Sequence, residues 1–201
     1  MRTIVITLAL LMAGLSAGAQ DDMYGIGQHA NAKQAKGDSI DIKLTSSGAY
    51  EQQRVVSVDG ASAAVLYDRA MMAITDLTGS DGKAKAGIDY QNQETHTVVY
   101  KGLFGLPFGD AVDYWADFTM KVRCKDGRAQ VTMTVPMVEM RASAINMERS
   151  ATVGEIKKGT EQAKGKRRKR GEECLNYIKN SVNAYVRIME TRLKFGIDED
   201  F

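Results

Sequence analysis

Apolar and polar residues alternate most regularly over residues 112–124, which read VDYWADFTMKVRC. Every second side chain from Val112 to Cys124 is apolar, while the positions between them carry Asp, Trp, Thr, Lys and Arg. Because successive side chains of a β-strand point to opposite faces, this pattern predicts a half-buried antiparallel strand. We therefore expect one face of the strand in the core and one outside it.

The residues that follow predict a hairpin. Lys125-Asp126-Gly127-Arg128 is a turn sequence, and the chain beyond it returns as a partner strand. The apolar face of this partner strand is expected to contain Val131, Met133, Val135 and Met137. Pro136 lacks an amide donor, so it predicts either an edge position or the end of ladder pairing.

Helical spacing of apolar residues predicts two helices. The first begins after Ser62, a capping residue, and runs to about Thr78, where Gly79 is a stop signal. The second runs from Glu172 to Lys194, and its apolar stripe is Leu175, Ile178, Val182, Tyr185, Met189 and Leu193. We interpret this stripe as a core face rather than a partner-binding face.

Shorter alternating segments complete the predicted sheet. Ile40, Ile42 and Leu44 alternate with polar residues and predict either a short strand or an extended segment. Tyr50 to Val58 is the better strand, and a hairpin joins residues 84–91 to 95–104. The order is strand, helix, four strands, helix. This order predicts an α+β fold with the helices on one face of an antiparallel sheet and the other face open.

The first nineteen residues have the three parts of a secretory signal peptide. They contain a cation at Arg2, an apolar run and a small-residue site, which predicts cleavage between Ala19 and Gln20. We therefore expect a periplasmic or secreted protein. Residues 20–39 are predicted to be a flexible leader, residues 40–140 with 172–195 a single domain, and residues 141–171 a basic polar linker.

Positive charge is concentrated in one segment of a chain whose net charge is only +2. The basic block consists of Lys164, Lys166, Arg167, Arg168, Lys169 and Arg170. Export argues against a nucleic-acid partner, and like-charge blocks usually form solvated segments, so we favour a solvated linker. Docking of the block to an anionic surface, such as lipid headgroups or acidic polysaccharide, remains an alternative.

The sequence resembles a family of uncharacterised exported proteins of Gram-negative gut bacteria. The resemblance covers about residues 50–140 and is carried by Arg54 to Gly60, Leu66 to Ala70, and the Lys125 to Arg128 hairpin. That family is described as a domain of unknown function with a fold like that of the TATA-binding protein (TBP). The resemblance implies a TBP-like sheet, but it implies no activity and no catalytic residues.

Candidate catalytic and metal-binding residues are few. The only histidines are His29 and His96, with no second ligand at metal spacing, so no metal or cofactor is predicted. Cys124 and Cys174 are the only cysteines, and they form either one disulfide or two separate buried thiols. No catalytic motif is recognisable, so we predict a protein that is not an enzyme.

The polar face of the longest strand is the candidate binding surface. It carries Trp115, whose ring can stack on a sugar or a peptide, between Asp113 and Asp117. The other predicted contact residues are Lys121, Arg123 and Tyr100. The two carboxylates are about 13 Å apart along the strand, which is too far for glycoside hydrolysis.

Three functions follow from these features. The leading hypothesis is a binding module whose open face contacts a glycan, a peptide or an envelope protein. A structural envelope component that docks through the basic block is the second, and a hydrolase with an unrecognised site is the third. Neither the ligand nor the oligomeric state follows from the sequence.

Overall fold

The computed structural model describes residues 42–78, 86–107, 112–142 and 146–196. Within these ranges the chain forms eight strands and three helices. The elements are β1 (Lys43–Leu44), β2 (Tyr50–Ser57), α1 (Ala63–Thr78), β3 (Gly87–Asn92), β4 (Thr97–Leu106), β5 (Asp113–Lys125), β6 (Arg128–Val135), β7 (Met137–Ala142), β8 (Met147–Thr152), α2 (Val153–Gln162) and α3 (Lys166–Phe195). The predicted signal peptide and leader lie outside the described residues.

The strands form one antiparallel sheet in the order β1-β2-β6-β5-β4-β3. The central strand is β5, which pairs with β4 along most of its length. On its other side, β5 pairs with β6 over Thr119–Lys125 and with β7 over Asp113–Ala116, and β8 follows β7. The predicted α+β fold is confirmed, with β7, β8 and α2 as additional elements.

The two faces of β5 differ as its alternation predicts. Its even-numbered side chains from Ala116 to Cys124 are buried, whereas none of its odd-numbered side chains is. The buried side chains join those of α1 and α3 in a single hydrophobic cluster. Rings of Phe104 and Phe118 pack beside Tyr185 of α3, with the Phe118 and Tyr185 centroids 5.1 Å apart. Both helices therefore cover the same face of the sheet.

Both predicted helices are present. Val65 N donates to the Ser62 hydroxyl at 3.3 Å, so Ser62 caps α1 as expected. All six residues of the predicted stripe on α3 are buried. The two helices also contact each other near the end of α3, where Arg69 of α1 donates to the Leu193 carbonyl at 2.9 Å. A cation at a helix C-terminus is favourable because the last carbonyls carry partial negative charge.

A β-bulge at Pro136 separates β6 from β7. Thr119 is opposite Thr134, and Ala116 is opposite Val138, so residues 135–137 face only residues 117–118. The extra residue reverses the side-chain alternation. Val138, Met140 and Ala142 are consequently buried, and Met137 is only partly buried, which corrects its predicted place on the apolar face.

The predicted basic linker at residues 141–171 is wrong. This segment instead contains the end of β7, the whole of β8 and α2, and the start of α3. Two of its glycines allow close packing: Gly154 N donates to Gly48 O at 2.7 Å, and Gly171 lies against Thr160. Thr152 begins α2 through a reciprocal capping box with Glu155.

We predict that Gly171→Ala lowers the free energy of unfolding by about 1–3 kcal/mol. A Cβ at position 171 would lie 2.8 Å from Thr160 Cγ2 and 2.9 Å from Thr160 Cβ, so α2 and α3 would have to separate. Urea denaturation monitored by circular dichroism measures the change.

The matched control is Gly159→Ala in α2, where an added Cβ meets nothing within 4 Å. That change should stabilise the protein by about 0.5–1 kcal/mol, since alanine is the better helix former. Replacing Gly171 in a Thr160→Ala background should cost less than it does in the wild type. Equal effects of the two glycine substitutions would show that the helices do not pack as closely as described.

Candidate functional site

The face of the sheet opposite α1 and α3 is termed the open face. Its side chains on the four long strands are Glu51, Gln53, Val55 and Ser57 of β2; Val99, Lys101, Leu103 and Gly105 of β4; Asp113, Trp115, Asp117, Thr119, Lys121, Arg123 and Lys125 of β5; and Arg128, Gln130, Thr132 and Thr134 of β6. On β2, β5 and β6 none of these side chains is buried. None of the described helices covers this face.

The structure places Trp115 on the open face, but its ring has neighbours from the same chain. Trp115 lies opposite Gly105 on β4 and Glu139 on β7. The Arg141 guanidinium carbon is 5.9 Å from the centroid of the Trp115 ring, and Arg141 also pairs with Glu148. The ring is therefore partly covered, and a ligand that stacks on it has to share it with Arg141.

Tyr100 is not part of this surface. It lies opposite Met120, an inward residue of β5, and only 3% of its surface is exposed. Its ring packs against Phe118 in the core, with the centroids 5.7 Å apart. The prediction that Tyr100 neighbours Trp115 on the open face is wrong because the register of β4 places its even-numbered side chains inward.

Asp113 and Asp117 lie on the open face as predicted. Asp113 is exposed and opposite Arg141, while Asp117 is partly buried and opposite Leu103. Glu139 on β7 adds a third carboxylate to this part of the face. This region, residues 113, 117 and 139, is termed the acidic end.

The opposite end of the same face is basic. Lys121 and Arg123, both predicted contact residues, are exposed there together with Lys125 and Arg128. These four cations are termed the basic end, and none of them makes an ion pair within the described ranges. Sequence reasoning treated Lys125 and Arg128 only as turn residues, although Lys125 continues the odd-numbered alternation of β5.

The hairpin that carries the basic end is anchored to α1. Asp126, the one carboxylate in the turn, accepts a hydrogen bond from Ala63 N at 2.8 Å. Gly127 N donates to Ala61 O at 2.8 Å, and Val58 N donates to Gly127 O at 2.9 Å. Gly127 adopts a φ of 74°, which favours glycine. The turn therefore has a defined position, and Asp126 is engaged with the helix rather than with the neighbouring cations.

The basic block lies elsewhere in the fold. Lys164 precedes α3, and Lys166 to Arg170 form its first turns, with all six side chains exposed. Arg168 and Lys169 pair with Glu172 and Glu173 one turn later. The block is thus solvated, but five of its six residues belong to a helix and not to a linker.

The two cysteines are free thiols in the described structure, and both are buried. Cys124 lies on β5 and Cys174 on α3. The structure therefore contains two separate buried thiols, which is the second of the two predicted alternatives.

The contact between Cys124 and His96 is a main-chain hydrogen bond, whereas a cysteine hydrolase requires a contact between the thiol and the imidazole. Cys124 N donates to His96 O at 2.9 Å, and the Tyr67 ring meets the His96 ring edge-on with centroids 6.0 Å apart. Burial also raises the pKa of the Cys124 thiol from 9.0 to about 11. The thiol is therefore protonated at neutral pH, which is unfavourable for a nucleophile.

Residues 42–78, 86–107, 112–142 and 146–196 contain no group of three or more His, Cys, Asp or Glu that could hold a metal ion. Among the described helices, none has both the length and the apolar character needed to cross a membrane.

An antiparallel sheet with its helices on one face, as built here around β5, defines an α+β protein with a TBP-like fold. Residues 53–138 match the family model described as a domain of unknown function (DUF4468) with TBP-like fold. Over these residues the chain is similar to the DUF4468 family. No curated protein matches the sequence.

Solved structures with this fold include two bacterial proteins. A DUF4468 family protein from Bacteroides ovatus has 13% identity and a TM-score of 0.54, over 74% of this chain and 90% of that chain. A TBP-like protein from Parabacteroides distasonis has 9% identity and a TM-score of 0.52, over 74% of this chain and 97% of that chain. Identities this low show the fold alone.

The buried thiols predict that stability falls at alkaline pH. Burial raises the pKa of Cys124 and of Cys174 from 9.0 to about 11, so an unfolded thiol loses its proton before a folded one does. Their contribution is fully present below about pH 9 and is lost as the pH rises toward about 11. Urea denaturation at several pH values under reducing conditions measures this loss.

A Cys124→Ala/Cys174→Ala variant should lose less stability than the wild type between about pH 9 and 10. The buried tyrosines, whose pKa values are also raised by burial, remain in both proteins and provide the common background. Identical slopes of stability against pH in the two proteins would contradict the assignment of the effect to the thiols.

Proposed function

We propose that this protein is an exported, non-catalytic binding module that contacts its partner through the open face of the sheet. The observation that carries the proposal is a group of exposed cations at the basic end that form no ion pair with any described residue, on a face that no described helix covers. Charged side chains without partners on a rigid face are suited to an external ligand. The raised pKa of Cys124 supports the non-catalytic part of the proposal.

Export is proposed from the sequence alone, because residues 1–41 lie outside the described part of the chain. When the full-length chain is expressed in a Gram-negative host, the mature protein should be found outside the cytoplasm. Intact mass spectrometry should place its N-terminus at Gln20. A product that keeps residues 1–19 and remains in the cytoplasm would contradict export.

The open face can be tested as a binding surface by methyl NMR. Val55, Val99 and Leu103 are reporters on the open face, and Val65 on α1 and Ile188 on α3 are exposed controls away from it. The exported protein is titrated with neutral glycans, acidic glycans and peptides. We expect at least one of these classes to shift the open-face methyl signals and leave the two controls unchanged.

Two results would contradict this function. Shifts confined to the control methyls would move the contact surface to the helices. The absence of any shift with all three ligand classes would remove the support for a small-ligand or peptide-binding module.

The alternative of docking through the basic block has one observation in its favour. Five consecutive cations begin α3, where no acidic residue stands in the first turn. Cations at a helix N-terminus oppose the helix dipole, so an anionic surface there would relieve the repulsion. A Lys164→Gln/Lys166→Gln/Arg167→Gln variant should then lose binding to anionic vesicles. If the wild type does not bind such vesicles, this alternative fails.

A further inference from the structure

We propose that the basic end of the open face binds an acidic polysaccharide, a linear chain of sugars that carry carboxylate or sulfate groups. The inference rests on the proposed function, since it names the ligand class of the same face. The residues that would contact the anionic groups are Lys121, Arg123, Lys125 and Arg128.

The first argument is the unbalanced charge. Lys125 lies directly opposite Arg128 in the β5–β6 register. Like charges directly opposite each other in a sheet are destabilising, and no counter-charge among the described residues relieves this pair. Asp126 is the nearest carboxylate in sequence, but its side chain caps α1. An anionic ligand would supply the missing negative charge.

The second argument is the fixed spacing of the cations. Lys121, Arg123 and Lys125 alternate along β5, so neighbouring members are about 6.6 Å apart along the strand. Arg128 lies on the adjacent strand, and backbone strands are about 4.8 Å apart. Because the hairpin is hydrogen-bonded to Ala61 and Ala63, this array needs little reorganisation to meet a polymer with regularly spaced anions.

The third argument is the chemistry of the side chains around the cations. Lys121 is opposite Thr132, Arg123 is opposite Gln130, and Gln53 of β2 is opposite Thr132. Amide and hydroxyl groups both donate and accept hydrogen bonds, which is what sugar hydroxyl groups require. Beyond Val99, Tyr90 of β3 offers a ring with 48% of its surface exposed, suited to packing on a sugar face.

The charge distribution disfavours nucleic acid as the ligand. Asp113, Asp117 and Glu139 lie on the same face at the acidic end and would repel a phosphate backbone that extends along β5. The basic end itself spans only about 13 Å along β5. A short acidic oligosaccharide segment fits within that span. A long duplex that crosses the face would also meet the carboxylates of the acidic end.

The experiment compares two variants that lose the same charge at different places. The sheet variant is Lys121→Gln/Arg123→Gln/Lys125→Gln/Arg128→Gln. The helix control is Lys157→Gln/Lys158→Gln/Arg187→Gln/Lys194→Gln, all exposed positions of α2 and α3 outside the basic block. Calorimetric titrations of the exported proteins use oligogalacturonate, a neutral maltooligosaccharide of equal length and a single-stranded DNA oligonucleotide.

We expect the wild type and the helix control to bind oligogalacturonate, with an affinity that falls as salt increases. The sheet variant should bind at least roughly tenfold more weakly, and the neutral oligosaccharide should not bind. Thermal unfolding of both variants shows whether they are folded. If the fourfold sheet variant does not fold, the double variant Lys121→Gln/Arg123→Gln takes its place in the comparison.

Three outcomes would overturn the inference. They are no binding of oligogalacturonate, equal weakening in both variants, and tighter binding of the DNA oligonucleotide that depends on the four sheet cations. The open-face methyl signals separate this failure from failure of the proposed function. If oligogalacturonate does not bind but another ligand class shifts those signals, only the ligand class is wrong.

Discussion

Along β5, the side chains from Ala116 to Cys124 enter the core at every second position, and the side chains between them face away from it. Burial of this one face against α1 and α3 removes apolar surface from water, which is the main favourable term in folding. It also fixes which residues can meet a partner. Lys121 and Arg123 are outside because Met120, Val122 and Cys124 are inside.

The helices stabilise the sheet and also position its exposed residues. The start of α1 binds Asp126 and lies beside Gly127, so the hairpin that carries Lys125 and Arg128 is attached to the helical layer. Within the helical layer, Arg69 of α1 donates hydrogen bonds to the last carbonyl groups of α3, which holds the two helices together. The exposed hairpin at the end of the open face is thus held in place by contacts with the helical layer.

Most of the fold could be predicted from local patterns. The alternation of β5, the cap of α1 and the apolar stripe of α3 each depend on residues close in sequence, and each is confirmed. The α2 helix was missed, although Thr152 and Glu155 have the spacing of a capping box. Gly154 and Gly171 permit close contacts with Gly48 and Thr160, and local sequence patterns do not reveal such contacts between distant residues.

The site was harder to predict because it depends on how distant strands align. Trp115, Lys121 and Arg123 follow from the period of one strand, and they lie on the predicted face. The face on which Tyr100 lies depends on the register between β4 and β5, because a shift of one residue places a side chain on the opposite face. The ion pair of Arg141 with Glu148 and its position over Trp115 required β7 and β8, which sequence patterns alone did not supply.

The bulge at Pro136 determines which side chains of β7 face the core and which lie on the open face. The additional residue puts Glu139 and Arg141 on the same side as Trp115, and puts Val138 and Met140 in the core. Without it, the same sequence would present its apolar side chains to water and its charges to the helices. Residues 135–137 therefore determine which side chains of the following strand face the core. Odd-numbered residues face the core in β6 and even-numbered residues do so in β7, although both strands pair with β5.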